Sequence, residues 1–214
     1  MKREKLSWIL RLTLFALPGA VEAQGCLEYI KEAENRISRN CADCMSGTQV
    51  ELEQAVERLE SLLTIESAST ESLEVLTFGY RNLAYGYEPR TDELLATYEE
   101  RLRTISDERL RRTPTDPNVL AEAARVAPPE LRLEYSSKAY RLAKRDAAWA
   151  ARGLAMHLLA AGNLDDNRVE QVVALFKEAY EMGDELVRKN VRVELKSLKF
   201  TYPEKTESID EILN

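Results

Sequence analysis

The sequence predicts an all-α protein built from repeated helix pairs, and three observations carry that expectation. Ala, Leu, Glu and Arg dominate while Gly and Pro number only 8 and 7 in 214 residues, a composition that favours long helices over turn-rich sheets. Apolar side chains recur at spacings of three and four in one segment after another, and strand-type alternation is hard to find. Ala96 to Leu102, Tyr135 to Tyr140 and Leu175 to Tyr180 look like copies of one another. They return at intervals of roughly forty residues, a period that with two helices per unit marks a helical solenoid. The apolar fraction of 44% allows a real core, and the net charge of −7 argues against nucleic acid, whose binding needs a surplus of Lys and Arg.

Residues 1–23 are expected to be an export signal. Lys2, Arg3 and Lys5 make a basic start, Leu12 to Ala20 a short apolar core, and Val21-Glu22-Ala23 a small-residue cleavage site. The core is too short to span a bilayer, and Arg11 interrupts what would otherwise be a longer apolar run from Trp8, so a retained amphipathic helix is the competing reading. Export would make the mature protein periplasmic or secreted. Ala23-Gln24-Gly25-Cys26 resembles a bacterial lipoprotein cleavage box, which implies a membrane anchor through a lipidated Cys26 in place of plain cleavage after Ala23.

Residues 24–47 are expected to form an N-terminal helix, carried by Leu27, Ile30, Ala33 and Ile37, and then a cysteine-containing turn. That helix would hold Cys26 about 20 Å from Cys41, beyond the reach of a disulfide. Cys41 and Cys44 are therefore expected to pair with each other across the turn, as the oxidising compartment favours. Haem attachment would require a histidine where Met45 stands, and zinc would require a second ligand pair with motif spacing.

Residues 48–200 are expected to be the helical repeat domain. Thr48 and Glu51 form a capping box ahead of Leu52, Val56, Leu59, Leu62 and Leu63. A second helix runs from Glu71 to Tyr87 with Leu73, Leu76, Thr77, Tyr80, Leu83, Ala84 and Tyr87 on one stripe, closed by Pro89. Thr91 caps a third, with Leu94, Leu95, Tyr98, Leu102 and Ile105. Asp116-Pro117 opens a fourth with proline at its first position, and Pro129 begins a fifth carrying Leu131, Tyr135, Ala139 and Leu142.

Asp146 is expected to cap a helix from Ala147 to Ala161 that is apolar nearly all round apart from Arg152 and His157, as suits a helix packed on two sides. After Ala161-Gly162-Asn163 comes a helix with Val169, Val172, Val173, Phe176, Ala179 and Tyr180 on one face. Gly183 stops it, the expectation being a positive φ there. Leu186, Val187, Val191, Val193, Leu195 and Leu198 make a last long helix. Residues 201–214 form a capping tail in which Ile209, Ile212 and Leu213 cover the open end of the stack.

The unit from Trp149 to Asp184 resembles a tetratricopeptide or Sel1-like repeat: Trp149 and Gly153 in its first helix, Gly162 at the turn, then Phe176, Ala179 and Gly183-Asp184. The resemblance implies a right-handed α-solenoid of antiparallel helix pairs. Its small residues would mark close helix contacts, and its inner groove would bind a protein or peptide and is rarely catalytic.

Little else in the sequence points to chemistry. His157 is the only histidine, and in an apolar helix it is expected to be packed and hydrogen-bonded rather than catalytic. Acidic pairs such as Glu99-Glu100 and Asp165-Asp166 read as solvated faces or caps. No catalytic residue, metal or cofactor is expected.

Two surface groups are the binding candidates. Arg101, Arg109 and Arg112, with Arg103 and Arg111, concentrate positive charge at one helix end, where they suit either the helix dipole or a carboxylate ligand. Tyr80, Tyr85, Tyr87 and Tyr98 cluster in neighbouring helices, with Tyr85 off the core stripe. The expected function is a cell-envelope scaffold that binds another envelope protein or peptide through its groove. A small-ligand-binding accessory (lipo)protein of an envelope transport system is the rival, and an enzyme with an acidic site is a third reading.

Overall fold

Side-chain caps set where most of the helices begin. In the computed structural model, which describes residues 30–38, 48–87, 91–143, 147–162 and 164–213, every regular element is helical. The first helix, α1, covers residues 30–38 as described, and it buries Ala33 and Ile37 as their spacing predicts. The signal segment, Cys26, Cys41, Cys44, Pro89, Asp146 and Asn163 lie outside the described residues.

The chain divides into two compact units between Tyr98 and Glu99, a division inside the expected repeat domain. In the first unit α2 (Gln49–Leu62) starts at the predicted capping box, with the Thr48 and Glu51 side chains each meeting the other's backbone amide. Its partner α3 (Thr70–Tyr85) starts at Ser69, whose hydroxyl accepts from the Ser72 amide. These helices close on one another at Gly79, where an added Cβ would sit 2.7 Å from Val56 Cγ2 and 3.0 Å from Ile37 Cγ2. Leu52, Val56, Leu59, Leu73, Leu76 and Leu83 fill the surrounding core. The helix α4 (Asp92–Arg112) begins in this unit, with the Leu94 amide donating to the Thr91 hydroxyl.

The second unit takes the rest of α4 and then α5 (Pro117–Val126), α6 (Pro129–Leu142), α7 (Ala148–Ala160), α8 (Asp166–Met182), α9 (Glu185–Thr201) and α10 (Thr206–Leu213). Asp116, Asp165 and Asp184 supply the caps of α5, α8 and α9. Each of α5 to α9 packs on the next, and α7 also meets α9 while α8 meets α10. The Tyr140 hydroxyl of α6 donates to Glu178 of α8 at 2.6 Å, a further contact between alternate helices.

The predicted face of α8 is the centre of this core: Val172, Phe176 and Ala179, with Leu175 added, are buried against Ala151, Leu154, Ala155 and Leu158 of α7 and Val191, Leu195 and Leu198 of α9, and Val169 is buried as well. The C-terminal tail contributes a full helix, longer than a last turn, that buries Ile209 and Ile212 on this core.

Three local expectations are corrected. Gly183 has φ −74°, so positive φ is not its reason. A Cβ there would meet the Ala179 carbonyl oxygen at 2.5 Å and Val187 at 2.6 Å, so the tight passage from α8 into α9 has no space for a side chain. The positive φ of this region belongs to Gly162, at 68°. The first residue outside α7 is Ala147, which provides no side-chain cap. In α9, Leu186 and Val193 are exposed and only Val191, Leu195 and Leu198 are buried, because the helix carries apolar residues on two opposite faces.

Candidate functional site

A concave surface of the second unit runs along α7, and the helix's own sequence explains it. Small residues and leucines (Ala148, Ala151, Leu154, Ala155, Leu158) occupy the face that packs on its neighbours. Four positions at helical spacing, Trp149, Gly153, Met156 and Ala160, point the other way, and Trp149 and Met156 remain 38% and 37% exposed. One stripe of α7 is therefore unpartnered among the described residues.

This stripe forms the floor of a groove of about 270 Å³, whose other bank is Ala121 and Arg125 of α5 with Ser136 and Ala139 of α6. Gly153 leaves it open, since an added Cβ would meet nothing within 4 Å. The close helix contact that the repeat resemblance implies at Gly153 is absent. Here the glycine widens a groove, and the close contact is made at Gly79 in the other unit.

Arg152 and His157 flank the stripe on opposite sides. Arg152 reaches α9, where its Nε donates to Glu194 at 3.1 Å and its Nη2 to the other carboxylate oxygen, a fork that accounts for an arginine in an otherwise apolar helix. His157 faces the other bank. Its Nδ1 is buried with no hydrogen-bond partner among the described residues, which corrects the expected hydrogen-bonded histidine.

The physical reason is the company it keeps. Burial first, then the positive charges of Arg132 and Arg125, push the imidazole from 6.5 down to about 4. Both neighbours are donors, so neither can accept from the ring N–H, and neither donates to Nδ1 within hydrogen-bond distance. Arg125 has only a long 3.9 Å approach from Glu122, and Arg132 donates to the Ala127 carbonyl at 3.1 Å while its buried Nε has no partner among the described residues. The groove thus combines an apolar floor with the Arg125 guanidinium on its far bank.

Of the predicted binding residues, the tyrosines belong to the first unit and the arginines to the second. In the first unit Tyr80 and Tyr98 are core residues, with ring centroids 6.1 Å apart. The Tyr98 hydroxyl donates to Glu53, and burial followed by that hydrogen bond raises its pKa. Tyr85 is 49% exposed, as its place off the core stripe predicts, and Tyr87 is half-buried. In the second unit Arg109 is buried, Arg101 is exposed, and Arg112 donates to Glu108 at 2.6 Å. Arg111 binds the same carboxylate, and the two arginines hold Glu108 down to about 2. Helix-end charge is thus largely satisfied within α4.

Sequence reasoning missed Arg125, Gly153 and Met156. The available signal was the segregation within α7 itself, where small residues occupy one face and the tryptophan, glycine and methionine share the other. Among the described residues no helix is long and apolar enough to cross a membrane, and no group of His, Cys, Asp and Glu side chains converges as a metal site would need. Compared with known proteins, the chain matches no family model, no curated protein and no solved structure.

Proposed function

We propose that this protein is an exported helical-repeat scaffold of the cell envelope that holds an acidic segment of another protein in the groove along α7. The observation that carries the reading is the unpartnered stripe Trp149, Gly153 and Met156 facing Arg125 on the opposite bank, beside a neutral His157. An aromatic and a flexible thioether offer apolar contact, and the Arg125 guanidinium offers charge-assisted hydrogen bonds to a carboxylate. The contacts between alternate helices support a solenoid of antiparallel pairs, the right-handed arrangement that the repeat resemblance implies.

The export signal, with Cys26 as an alternative membrane tether, completes the reading and rests on the sequence alone. Binding fits the groove better than catalysis, because its one histidine is held neutral and has no hydrogen-bonded partner at Nδ1. An extended segment also fits better than a small ligand, since the groove lies just under the roughly 300–1,000 Å³ of enclosed small-molecule sites and is open along one side.

Trp149 supplies the test. The chain has 2 tryptophans, so in a Trp8→Phe background the indole at the groove is the sole fluorophore of its kind. Titration with an extended Asp/Glu-rich peptide is expected to shift its emission, and Arg125→Glu to weaken that binding by about tenfold. A Lys/Arg-rich peptide of equal length binding as well as the acidic one would overturn the proposal.

A further inference from the structure

The solvent face of α9 carries an apolar ridge that nothing in the second unit covers. Leu186, Val193 and Phe200 are 65%, 64% and 93% exposed, whereas Val191, Leu195 and Leu198 on the opposite face are buried. A spacing of seven brings the three exposed residues to nearly one line, and the helical rise makes that line about 21 Å long.

The charges beside the ridge are one-sided. Between Glu185 and Thr201 the sequence ELVRKNVRVELKSLKFT holds five cations and two carboxylates, in a protein whose net charge is −7. Lys189 and Lys196 line one flank, both exposed and with no ion pair among the described residues. Arg192 extends the same flank. Its guanidinium lies over the Tyr180 ring at 5.3 Å and donates to the Tyr180 hydroxyl at 3.0 and 2.7 Å, which fixes its position without neutralising it. On the other flank Glu194 is occupied by Arg152, and Asn190 and Ser197 are uncharged.

We propose that this face of α9 docks on an anionic lipid surface, with Leu186, Val193 and Phe200 entering the headgroup boundary and Lys189, Arg192 and Lys196 meeting the phosphates. Large apolar anchors with a basic margin on one helix are the features that hold a helix in the plane of a membrane interface. A second copy of the chain fits the ridge poorly. Pairing two such helices would place Asn190 and Ser197 in the seam and bring two rows of lysine together. An acidic peptide also fits poorly, since a ridge offers no cleft to enclose it.

The test is co-sedimentation of the full chain with vesicles of phosphatidylcholine containing phosphatidylglycerol, and with phosphatidylcholine alone. The expected result is binding to the anionic vesicles that weakens about tenfold in Phe200→Ser, through lost apolar burial, and by a similar factor in Lys189→Gln/Lys196→Gln, with a shallower salt dependence. All forms keep residues 1–29, so a difference between them reads α9 alone. The replaced side chains are exposed, so thermal unfolding stays unchanged and controls for misfolding. Equal binding by all three forms overturns the proposal. So does a change of mass in light scattering on Phe200→Ser without vesicles, which would assign the ridge to a second copy.

Discussion

Two glycines in the middle of helices show how differently the two units use a missing side chain. At Gly79 of α3 the absent Cβ lets Val56 of α2 and Ile37 of α1 come within 3.0 Å of where it would be, so glycine serves close packing. At Gly153 of α7 no atom lies within 4 Å, so glycine keeps a groove open. The first unit gains a dense three-helix contact from its glycine, and the second leaves apolar surface unburied. Unburied apolar surface in a folded domain is where a partner is to be sought.

The largest test of this contrast is at the closed site. Gly79→Ala places a methyl against two fully buried branched side chains, and the overpacking outweighs the gain in helix propensity, for a net loss on the order of 1–2 kcal/mol. A lowered urea midpoint with an unchanged slope is the expected readout. A raised midpoint would show that Val56 and Ile37 yield easily and that the contact is loose.

Arg152→Ala comes next. It strands the Glu194 carboxylate, whose side chain is only 14% exposed, and is expected to cost about 1–2 kcal/mol. Replacing both with leucine should recover most of that loss, because the open side of α7 does not depend on the ion pair.

The smallest effect is a pH dependence. The folded state holds His157 at about 4 while the unfolded chain protonates it near 6.5, so acid favours unfolding across that window and the stability is fully present above it. The ring is partly exposed, so the loss is discounted to about 1 kcal/mol. Chemical unfolding at both ends of the window should show His157→Gln losing less stability on acidification than the wild type. Equal losses would mean that neither burial nor Arg132 and Arg125 hold the ring neutral.

Much of the fold was legible in the sequence because it rests on local chemistry. The capping box of Thr48 and Glu51, the Asp116-Pro117 start and the stripe of α8 appear where their spacing places them. What was not legible depends on partners distant along the chain. Arg152 reads as an anomaly until Glu194, 42 positions away, comes alongside it. The apolar pattern of α9 gives no sign of which residues face the core, since Leu186 and Val193 look as suitable as Leu195.

The groove belongs to this second kind, for it takes residues from α5, α6 and α7, and periodicity in any one helix does not reveal it. Gly183 shows a further limit: its identity marks the end of α8, but crowding by Ala179 and Val187, and not φ, is the cause.

The most direct test of the central claim is Gly153→Leu in the Trp8→Phe background, followed through Trp149 emission. A leucine at that position fills the groove without touching the packed face of α7, so thermal stability should hold or rise, helped by up to about 1 kcal/mol of helix propensity. Affinity for the acidic peptide should fall by at least about tenfold. Unchanged affinity, or a loss of stability as large as that of Gly79→Ala, would contradict the account, the first by placing binding elsewhere and the second by showing that α7 has no open face.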